Sequence, residues 1–423
     1  MNRKRSLYVA LFFLLFYSIL CHVGLPSARA QATHANNDYP IVLVHGFGGW
    51  GRDEMFGFKY WGGFGDIQEK LRKDGYSVFT ATVGTVSSNW DRACELYAQL
   101  KGGTVDYGKA HSEKYGHSRY GRTYEGLYPD WGEIDPDTGQ PKKIHLIGHS
   151  MGGQTARMLV HLLENGDAAE RDVTAASELS PLFSDRPLAH VSSLVSIATP
   201  HDGTSFTHFV EGVAPYTHQL IGVVAAAVGN FEQPLYDFKL DQWGLKRLPD
   251  ESWLRYSKRV LNSEFWTLSK DSSQWDLSPD GAKELNERVQ AQPRVYYFSI
   301  AANNSYRVPL LGWHVPKAFM NPFLLPSSFF VGSFTYNAPG HVTIDRTWWP
   351  NDGLVNTISM NGPKNGSTDH IVAYRGKPQP GKWNYLGLMD SWDHLDVVGL
   401  GMKPADDFFR NVAKMVAGLP VGD

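Results

Sequence analysis

Five short apolar segments recur along the chain and predict the strands of a sheet. They are rich in Val, Ile and aromatic residues and barely alternate between apolar and polar positions, which is typical of strands covered on both faces. Helix-compatible segments such as GDIQEKLRKDG and GGQTARMLVHLLENG lie between several of them, and Asn165-Gly166 is a good helix stop. The alternation predicts a mostly parallel sheet with helices on both faces, in which reactive residues collect at the carboxyl ends of the strands. The five predicted strand segments are PIVLVHG (40–46), YSVFTATV (76–83), KIHLIGHS (143–150), SLVSIATP (193–200) and RVYYFSIA (294–301).

The first thirty residues have the pattern of a signal peptide. MNRKR is basic, a long apolar stretch follows, and PSARA ends with small residues at the spacing of a cleavage site after Ala30. The alternative is a transmembrane anchor, but Cys21 and His22 interrupt the end of the apolar stretch. We therefore expect residues 1–30 to be removed and the protein to be secreted, with no stable membrane anchor.

The net charge limits which binding partners the protein could have, and the cysteine content limits which cross-links could stabilise it. Cleavage would remove four basic residues and no acidic one, which shifts the formal net charge from −3 to −7. An acidic chain argues against a nucleic-acid partner and against strong attraction to anionic membranes. Only Cys94 would remain, so no internal disulfide can form and a metal is the obvious alternative cross-link.

Residues 31–423 show no linker, repeat or low-complexity tract. We therefore expect a single domain that carries inserted segments, and no obligate protein partner is inferred.

The pentad Gly148-His149-Ser150-Met151-Gly152 lies between a predicted strand and a predicted helix. In that context G-x-S-x-G forms a tight turn that exposes the serine hydroxyl as a nucleophile, and the next helix points its N-terminus at a developing oxyanion. The alternative is a serine that caps the helix, which needs neither flanking glycine. Ser150 is the candidate nucleophile.

A serine nucleophile needs a base and an acid, which follow it in the chain order Ser, acid, His in this type of site. We favour His394 as the base, because it lies in a polar loop, DSWDHLDVVG, near the end of the chain. For the acid we favour Asp352, in an Asn-Asp-Gly turn after an apolar segment. Three alternatives stay open on the residues alone: Asp345, Asp390 and Asp393.

An oxyanion hole needs two backbone N–H groups. One is expected from Met151, after the nucleophile, and the other from Phe47 in the HGFGG loop that ends the first predicted strand. His45 in that loop resembles a catalytic base, but we expect it to hold the loop in place.

A second candidate site lies in the segment of about residues 87–125. His111 and His117 are six residues apart, so one straight helix would not present both on one face, but Gly116 allows a turn between them. Asp91 offers a third ligand, near a helix start at Ser87-Ser88, and a fourth acid would complete tetrahedral zinc. The alternative is a pair of ordinary surface histidines.

The segment of about residues 206–230 is a candidate lid. Its apolar run from Leu220 to Val228 is too short to span a membrane and is rich in small residues. A mobile amphipathic cover that opens on lipid would have this character. The alternative is an ordinary buried helix.

Several motifs resemble a known family over most of residues 39–400. They are PIVLVHGFGGWGRDEMFGFKYWGG, SSNWDRACELYAQLKGGTVDYG, IATPHDGT, YDFKLDQWGL and NDGLVNTISMNGPK. These segments are similar to secreted bacterial true lipases of the thermoalkalophilic Bacillus/Geobacillus and staphylococcal type. The resemblance implies the α/β-hydrolase fold, triacylglycerol hydrolysis at an oil–water interface, and a triad of Ser150, Asp352 and His394.

The resemblance also implies two metals. It implies a structural zinc held by Asp91, His111, His117 and Asp271. It further implies calcium near the His394 loop, with Asp396 as an acidic ligand and Phe319 as a carbonyl donor. The chain departs from the family at Gly401 and Met402, where relatives usually have Asp and Pro, which puts calcium in doubt.

Two other readings of the function stay open. The first is a carboxylesterase or phospholipase with the same fold. The second is a secreted, metal-stabilised binding module with an inactive triad.

Overall fold

A parallel sheet forms the centre of the molecule. The computed structural model describes residues 36–212, 236–310 and 312–421. In chain order the strands of these residues are β1 (Ile41–Val44), β2 (Val78–Ala81), β3 (Gly103–Asp106), β4 (Tyr120–Tyr124), β5 (Ile144–His149), β6 (Val191–Ile197), β7 (Tyr296–Asn303), β8 (Ser305–Arg307), β9 (His314–Pro316), β10 (Ile371–Ala373) and β11 (Trp383–Asp390). Seven of them form the parallel sheet, in the order β10-β11-β7-β6-β5-β1-β2. The other four form two antiparallel hairpins, β3–β4 and β8–β9, outside it.

The helices connect the strands and cover the sheet. The α-helices are Ile67–Lys73, Asn89–Lys101, Lys109–Tyr115, Met151–Asn165, Ala168–Val173, Phe206–Gly212, Trp253–Leu261, Phe265–Leu268, Ser273–Leu277, Pro279–Arg288, Leu325–Val331 and Asp406–Ala417. Short 3-10 turns are Met55–Gly57, Pro181–Phe183, Asp241–Trp243, Pro322–Leu324, Arg346–Trp348, Thr357–Ser359 and Asp396–Val398.

All five predicted strands lie in the central sheet, and the predicted α/β fold class is confirmed. Every residue of β1, β5 and β6 is buried. In β1, Val42 and Val44 pack into the core on one face of the sheet, whereas Ile41 and Leu43 pack into the core on the other. Burial on both faces explains why these segments show no polar alternation.

Two strands that extend one side of the sheet, β10 and β11, have no counterpart among the predicted segments. β11 is only partly buried, and its pairing with β7 shifts register between Tyr385 and Gly387. Gly387 has a φ of 123°, a backbone conformation that glycine adopts readily and other residues rarely adopt. A half-exposed, irregular strand lacks the continuous apolar run that identified the central strands.

Two predicted segments fall wholly or largely outside the described residues. The expected signal peptide, residues 1–30, lies outside them, as does most of the expected lid, residues 213–230. Among the helices that the structure does describe, none combines the length and apolar character needed to cross a membrane.

Candidate active site and metal-ligand cluster

Ser150 stands at the turn between β5 and the helix Met151–Asn165. Its backbone has φ 54° and ψ −132°, a conformation that costs a non-glycine residue about 1–3 kcal/mol. Although Ser150 occupies the N-cap position, its side chain makes no capping hydrogen bond. The structure therefore disfavours the alternative of a helix-capping serine.

The two flanking glycines are required by space. A Cβ built on Gly148 would lie 2.5 Å from the carbonyl carbon of Gly152, and one on Gly152 would lie 2.1 Å from the Val44 oxygen. Neither contact is tolerable, because β1 and the new helix approach the turn so closely. The tight turn expected from the pentad is present, and it presents Ser150 at the carboxyl end of β5.

His394 and Asp352 are joined by a short hydrogen bond. His394 Nδ1 donates to Asp352 Oδ2 at 2.7 Å, and the His394 amide donates to the Asp352 carbonyl at 2.9 Å. Asp352 is fully buried, and its Oδ1 accepts from the amides of Leu354 at 3.1 Å and Val355 at 2.8 Å. This arrangement fixes the imidazole so that Nε2 is the nitrogen available to a reacting group.

The imidazole of His394 lies beside the Ser150 turn. Its centroid is 4.6 Å from that of His149, the residue before the serine. His149 Nδ1 lies 2.6 Å from the Tyr60 hydroxyl, which also accepts from the Gly46 amide at 3.0 Å. Burial, and then the neighbouring His394, lower the pKa of His149 well below its usual value, so His149 stays neutral. One tyrosine thus ties the HGFGG loop to the serine turn.

None of the three alternative acids forms a hydrogen bond to His394 in the described structure. Asp345 accepts from Thr347, and Asp390 pairs with Lys317 at 2.6 Å. Asp393 accepts from the backbone of its own loop and of residue 321. Asp352 is the acid that the fold brings to the histidine.

The HGFGG loop is held by His45. Its Nδ1 lies 2.8 Å from the Gly46 carbonyl, and its Nε2 accepts from the Val83 amide at 3.2 Å. Burial, and then the charge of Arg92, lower the pKa of His45 well below its usual value. A neutral ring with both nitrogens bonded to the backbone supports the structural role expected for it.

The two candidate oxyanion donors are both next to residues at the serine turn: Met151 follows Ser150, and Phe47 follows Gly46, on which a built Cβ would lie 2.7 Å from Ser150 Cβ. Phe47 lies in the HGFGG loop, where the Gly48 amide donates to the Thr85 carbonyl at 2.8 Å. Met151 is buried at the first position of the helix after Ser150, where backbone N–H groups lack intrahelical partners.

Four side chains from three parts of the chain form a second cluster: Asp91, His111, His117 and Asp271. One ligand atom from each lies within 4.8 Å of all the others. His111 Nε2 is 3.3 Å from Asp91 Oδ1, and both histidines are 3.2 Å from Asp271 Oδ2. These four atoms are buried without a partner of hydrogen-bond geometry among the described residues. Buried polar atoms left in this way require an explanation.

The local structure places three of the candidate ligands, Asp91, His111 and His117, as the sequence indicated. Ser88 caps the helix Asn89–Lys101 and accepts from the Asp91 amide at 3.1 Å. His111 lies on the helix Lys109–Tyr115, which ends at Gly116 with a φ of 79°. His117 follows directly, so the glycine turns the chain and both imidazoles face one point.

Neighbouring groups bond to the outer atoms of His117 and Asp91 and leave the atoms at the centre of the cluster available to a metal. His117 Nδ1 lies 2.9 Å from the Ser118 carbonyl, which directs its Nε2 to the cluster. Gln242 donates to Asp91 Oδ2 at 2.7 Å and leaves Oδ1 for the centre. The ring of Trp90 stacks on that of His111 at 4.8 Å.

The electrostatics of the cluster favour positive charge at its centre. Burial alone would lower the pKa of His111, but the carboxylates of Asp271 and Asp91 raise it to about 9. The pKa of Asp91 is raised by burial and by the charge of Asp271. Two buried carboxylates at one point need positive charge, which protonated histidine or a cation can supply.

The candidate calcium residues lie elsewhere. Asp396 is buried, and its Oδ1 accepts from the amides of Met402 at 2.7 Å and Lys403 at 3.1 Å. Phe319 has an exposed side chain and a φ of 70°. Calcium binds six to eight oxygen ligands, whereas Asp396 Oδ1 already accepts two backbone hydrogen bonds. Asp396 and the Phe319 carbonyl are therefore too few ligands to complete a calcium site by themselves.

Three supporting residues were not identified from the sequence: Tyr60, Gln242 and Glu170. Glu170 accepts from the amides of Ala110 and His111 at 2.9 and 2.7 Å, and so caps the helix that carries a ligand. Each acts on a residue far away in the chain. Local patterns carry no signal for such pairs.

A parallel sheet, a strained serine at the carboxyl end of a central strand, and a His–Asp pair beside it define an α/β-hydrolase. Residues 37–417 match the family described as lipase-like, C-terminal domain. The chain belongs to this lipase family.

Individual relatives agree with that assignment. The chain is 41% identical over 374 residues to a lipase of Staphylococcus epidermidis, which confirms the staphylococcal resemblance. The matched region covers 87% of this chain and 51% of that protein. The chain therefore spans about half the length of the curated relatives it matches.

Two solved structures are similar along nearly their whole length. Lipase 1 from Pelosinus fermentans is 49% identical, with a TM-score of 0.83 over 91% of this chain and 100% of that one. EstA from Clostridium botulinum is 44% identical, with a TM-score of 0.84 over 94% and 91%.

Proposed function

We propose that this protein is a secreted triacylglycerol lipase that hydrolyses acyl esters at a lipid–water interface by a Ser-His-Asp mechanism. The observation that carries the proposal is the bond from His394 to the buried Asp352, beside the strained Ser150 turn. The relatives named above support lipids as the substrate class. Secretion rests on the residue pattern of positions 1–30.

The proposed reaction proceeds by two acyl transfers. His394 Nε2 takes the proton of Ser150 as Oγ attacks the ester carbonyl, and the amides of Phe47 and Met151 hold the oxyanion. Asp352 keeps the imidazole oriented and stabilises its charged form. His394 then gives the proton to the leaving alcohol oxygen, which leaves the acyl group esterified to Ser150. A water attacks that ester as His394 takes its proton, and the proton passes to Ser150 Oγ as the fatty acid is released.

Zinc is the metal that best fits the four-residue cluster. Zinc bonds of about 2.0–2.2 Å in tetrahedral geometry separate neighbouring ligand atoms by about 3.3–3.6 Å. Three of the four histidine–carboxylate separations in the cluster, 3.2, 3.2 and 3.3 Å, are close to that spacing, and the fourth is 3.9 Å. Four protein ligands leave no open position, so the ion would cross-link the segment of about residues 87–125 to the rest of a single domain.

Calcium at Asp396 and Phe319 stays a prediction for metal analysis. Purified protein dialysed without chelator should contain one zinc per chain, and its calcium content would decide the second site.

The lid proposed for about residues 206–230 predicts higher activity on emulsions than on dissolved monomeric esters.

Substrate specificity separates the proposal from its nearest alternative. A carboxylesterase or phospholipase would share the triad but fail on emulsified long-chain triglyceride. Rates on that emulsion and on a short nitrophenyl ester test the point, since cleavage of the soluble ester alone would favour the esterase. A binding module with an inactive triad would cleave neither.

A further inference from the structure

Arg92 is buried completely, and its guanidinium serves three neutral acceptors from three parts of the chain. Nε donates to Thr155 Oγ1 at 2.8 Å, Nη1 to the Gly84 carbonyl at 2.6 Å, and Nη2 to the His45 carbonyl at 2.5 Å. Burial lowers its pKa to about 10, so it stays charged at neutral pH. No carboxylate is hydrogen-bonded to it among the described residues. Burial of a cation among neutral acceptors lowers the stability of the fold, so we expect a functional role that explains Arg92.

One of these bonds reaches the loop that carries Phe47, and a second reaches the neighbouring segment that bonds to that loop. His45 precedes Phe47 by two residues, so the bond to its carbonyl fixes the entry to the HGFGG loop. Gly84 precedes Thr85, whose carbonyl accepts from the Gly48 amide at 2.8 Å. Arg92 therefore braces the chain before Phe47 directly and the chain after it through the Gly84-Thr85 peptide.

The third bond reaches the helix that carries the other candidate oxyanion donor, Met151. Thr155 lies one turn beyond Met151 in the same helix, and its hydroxyl is 3.2 Å from the Met151 carbonyl and 2.9 Å from Asn89 Oδ1. The guanidinium thus links the first turn of the helix after Ser150 to the HGFGG loop. The guanidinium reaches the three acceptors from three separate nitrogens in one plane, whereas a lysine ammonium carries all its donors on a single nitrogen.

We propose that Arg92 is a positioning residue that sets the spacing of the Phe47 and Met151 amides, and so the geometry of the oxyanion hole. The inference rests on the proposed function, because it assumes acyl transfer at Ser150. Oxyanion donors act only when they meet the developing charge, so a displaced pair lowers the rate of the chemical step more than it weakens substrate binding.

The test compares Arg92→Lys with a matched control, Arg157→Lys. Arg157 is also buried, and it lies on the helix that follows Ser150. Its bonds, however, run to Asn286 at 2.8 Å and the Val289 carbonyl at 3.1 Å, away from the HGFGG loop. Both variants bury the same new ammonium, so both should unfold at a lower temperature.

The readouts are kcat, KM and the inhibition constant of phenylboronic acid, which adds to a serine as a tetrahedral anion. For Arg92→Lys we expect kcat to fall about 10- to 100-fold, KM to change less than about twofold, and the inhibition constant to rise with the loss in kcat/KM. Arg157→Lys should match the unaltered protein in all three at a temperature where it is folded.

Several outcomes decide the matter. If Arg92→Lys lowers only the unfolding temperature, or alters kcat no more than Arg157→Lys, Arg92 is merely structural and the inference is wrong. If Arg92→Lys does not fold, Thr155→Val removes one arm of the linkage, and kcat should fall about three- to tenfold. Unchanged kcat in that variant overturns the inference. Activity that survives Ser150→Ala would instead contradict the proposed function itself.

Discussion

Asp352 accepts a hydrogen bond from His394 Nδ1 on one carboxylate oxygen and hydrogen bonds from two backbone amides on the other. The bond lengths are 2.7 Å to Nδ1, 2.8 Å to the Val355 amide and 3.1 Å to the Leu354 amide. Such a carboxylate is rigid as well as charged. It selects the tautomer of His394 that leaves Nε2 as an acceptor.

Replacement of Asp352 by asparagine should preserve the fold and abolish most of the activity. An amide that donates to His394 favours the wrong tautomer, and we expect kcat to fall on the order of 10³- to 10⁴-fold with little change in KM. Asp390→Asn is the control, because Asp390 is exposed and pairs with Lys317. Equal losses in both variants would remove Asp352 from the mechanism.

Loss of the metal cluster should lower stability more than it lowers catalysis at moderate temperature. Asp271→Ala removes the carboxylate that lies 3.2 Å from both histidines. Because a bound metal stabilises only the folded state, we expect loss of zinc and a fall in Tm on the order of 5–10 °C. Chelation of the unaltered protein should produce the same shift.

The control for the metal experiment is Asp280→Asn. Asp280 bonds His341 at 2.6 Å at a partly exposed site outside the cluster. It should retain one zinc and nearly the original Tm. Full zinc content in Asp271→Ala, measured by mass spectrometry, would show that the cluster is not the zinc site.

Glu95 should make a measurable contribution to the pH dependence of stability in the chelated protein. Burial raises its pKa from 4.5 to about 7, although the Gly84 amide and the Tyr107 hydroxyl donate to it. Between those two values the folded chain holds a proton that the unfolded chain releases. The stabilisation is therefore present below about pH 4.5 and is lost as the pH rises to about 7.

The measurement compares Glu95→Gln with the unaltered chain by denaturant unfolding at several pH values. The free energy of unfolding of the unaltered chain should fall relative to the variant by up to about 3 kcal/mol between pH 4.5 and 7. The difference should level off above about pH 8, where Glu95 is ionised in both states. A difference that is constant across the range would mean that Glu95 is ionised throughout.

Local pattern predicted the central strands, the Ser150 turn and the helix boundary at Gly166, because burial and tight turns leave signals in neighbouring residues. Asp352 was one of four candidate acids, since the residues alone do not reveal which carboxylate the fold brings to His394. Asp271 followed only from resemblance. Arg92 and Tyr60 bond to residues that are distant in the chain and come close only after folding, so no local sequence spacing predicts their contacts.

Hydrolysis of emulsified long-chain triglyceride by the purified chain, compared with its Ser150→Ala variant, tests the central claim most directly. We predict fatty-acid release by the unaltered protein and loss of at least about 10⁵-fold in kcat in the variant, with its zinc content and unfolding temperature retained. No release by the unaltered protein, or equal release by both, would contradict the assignment of a serine lipase.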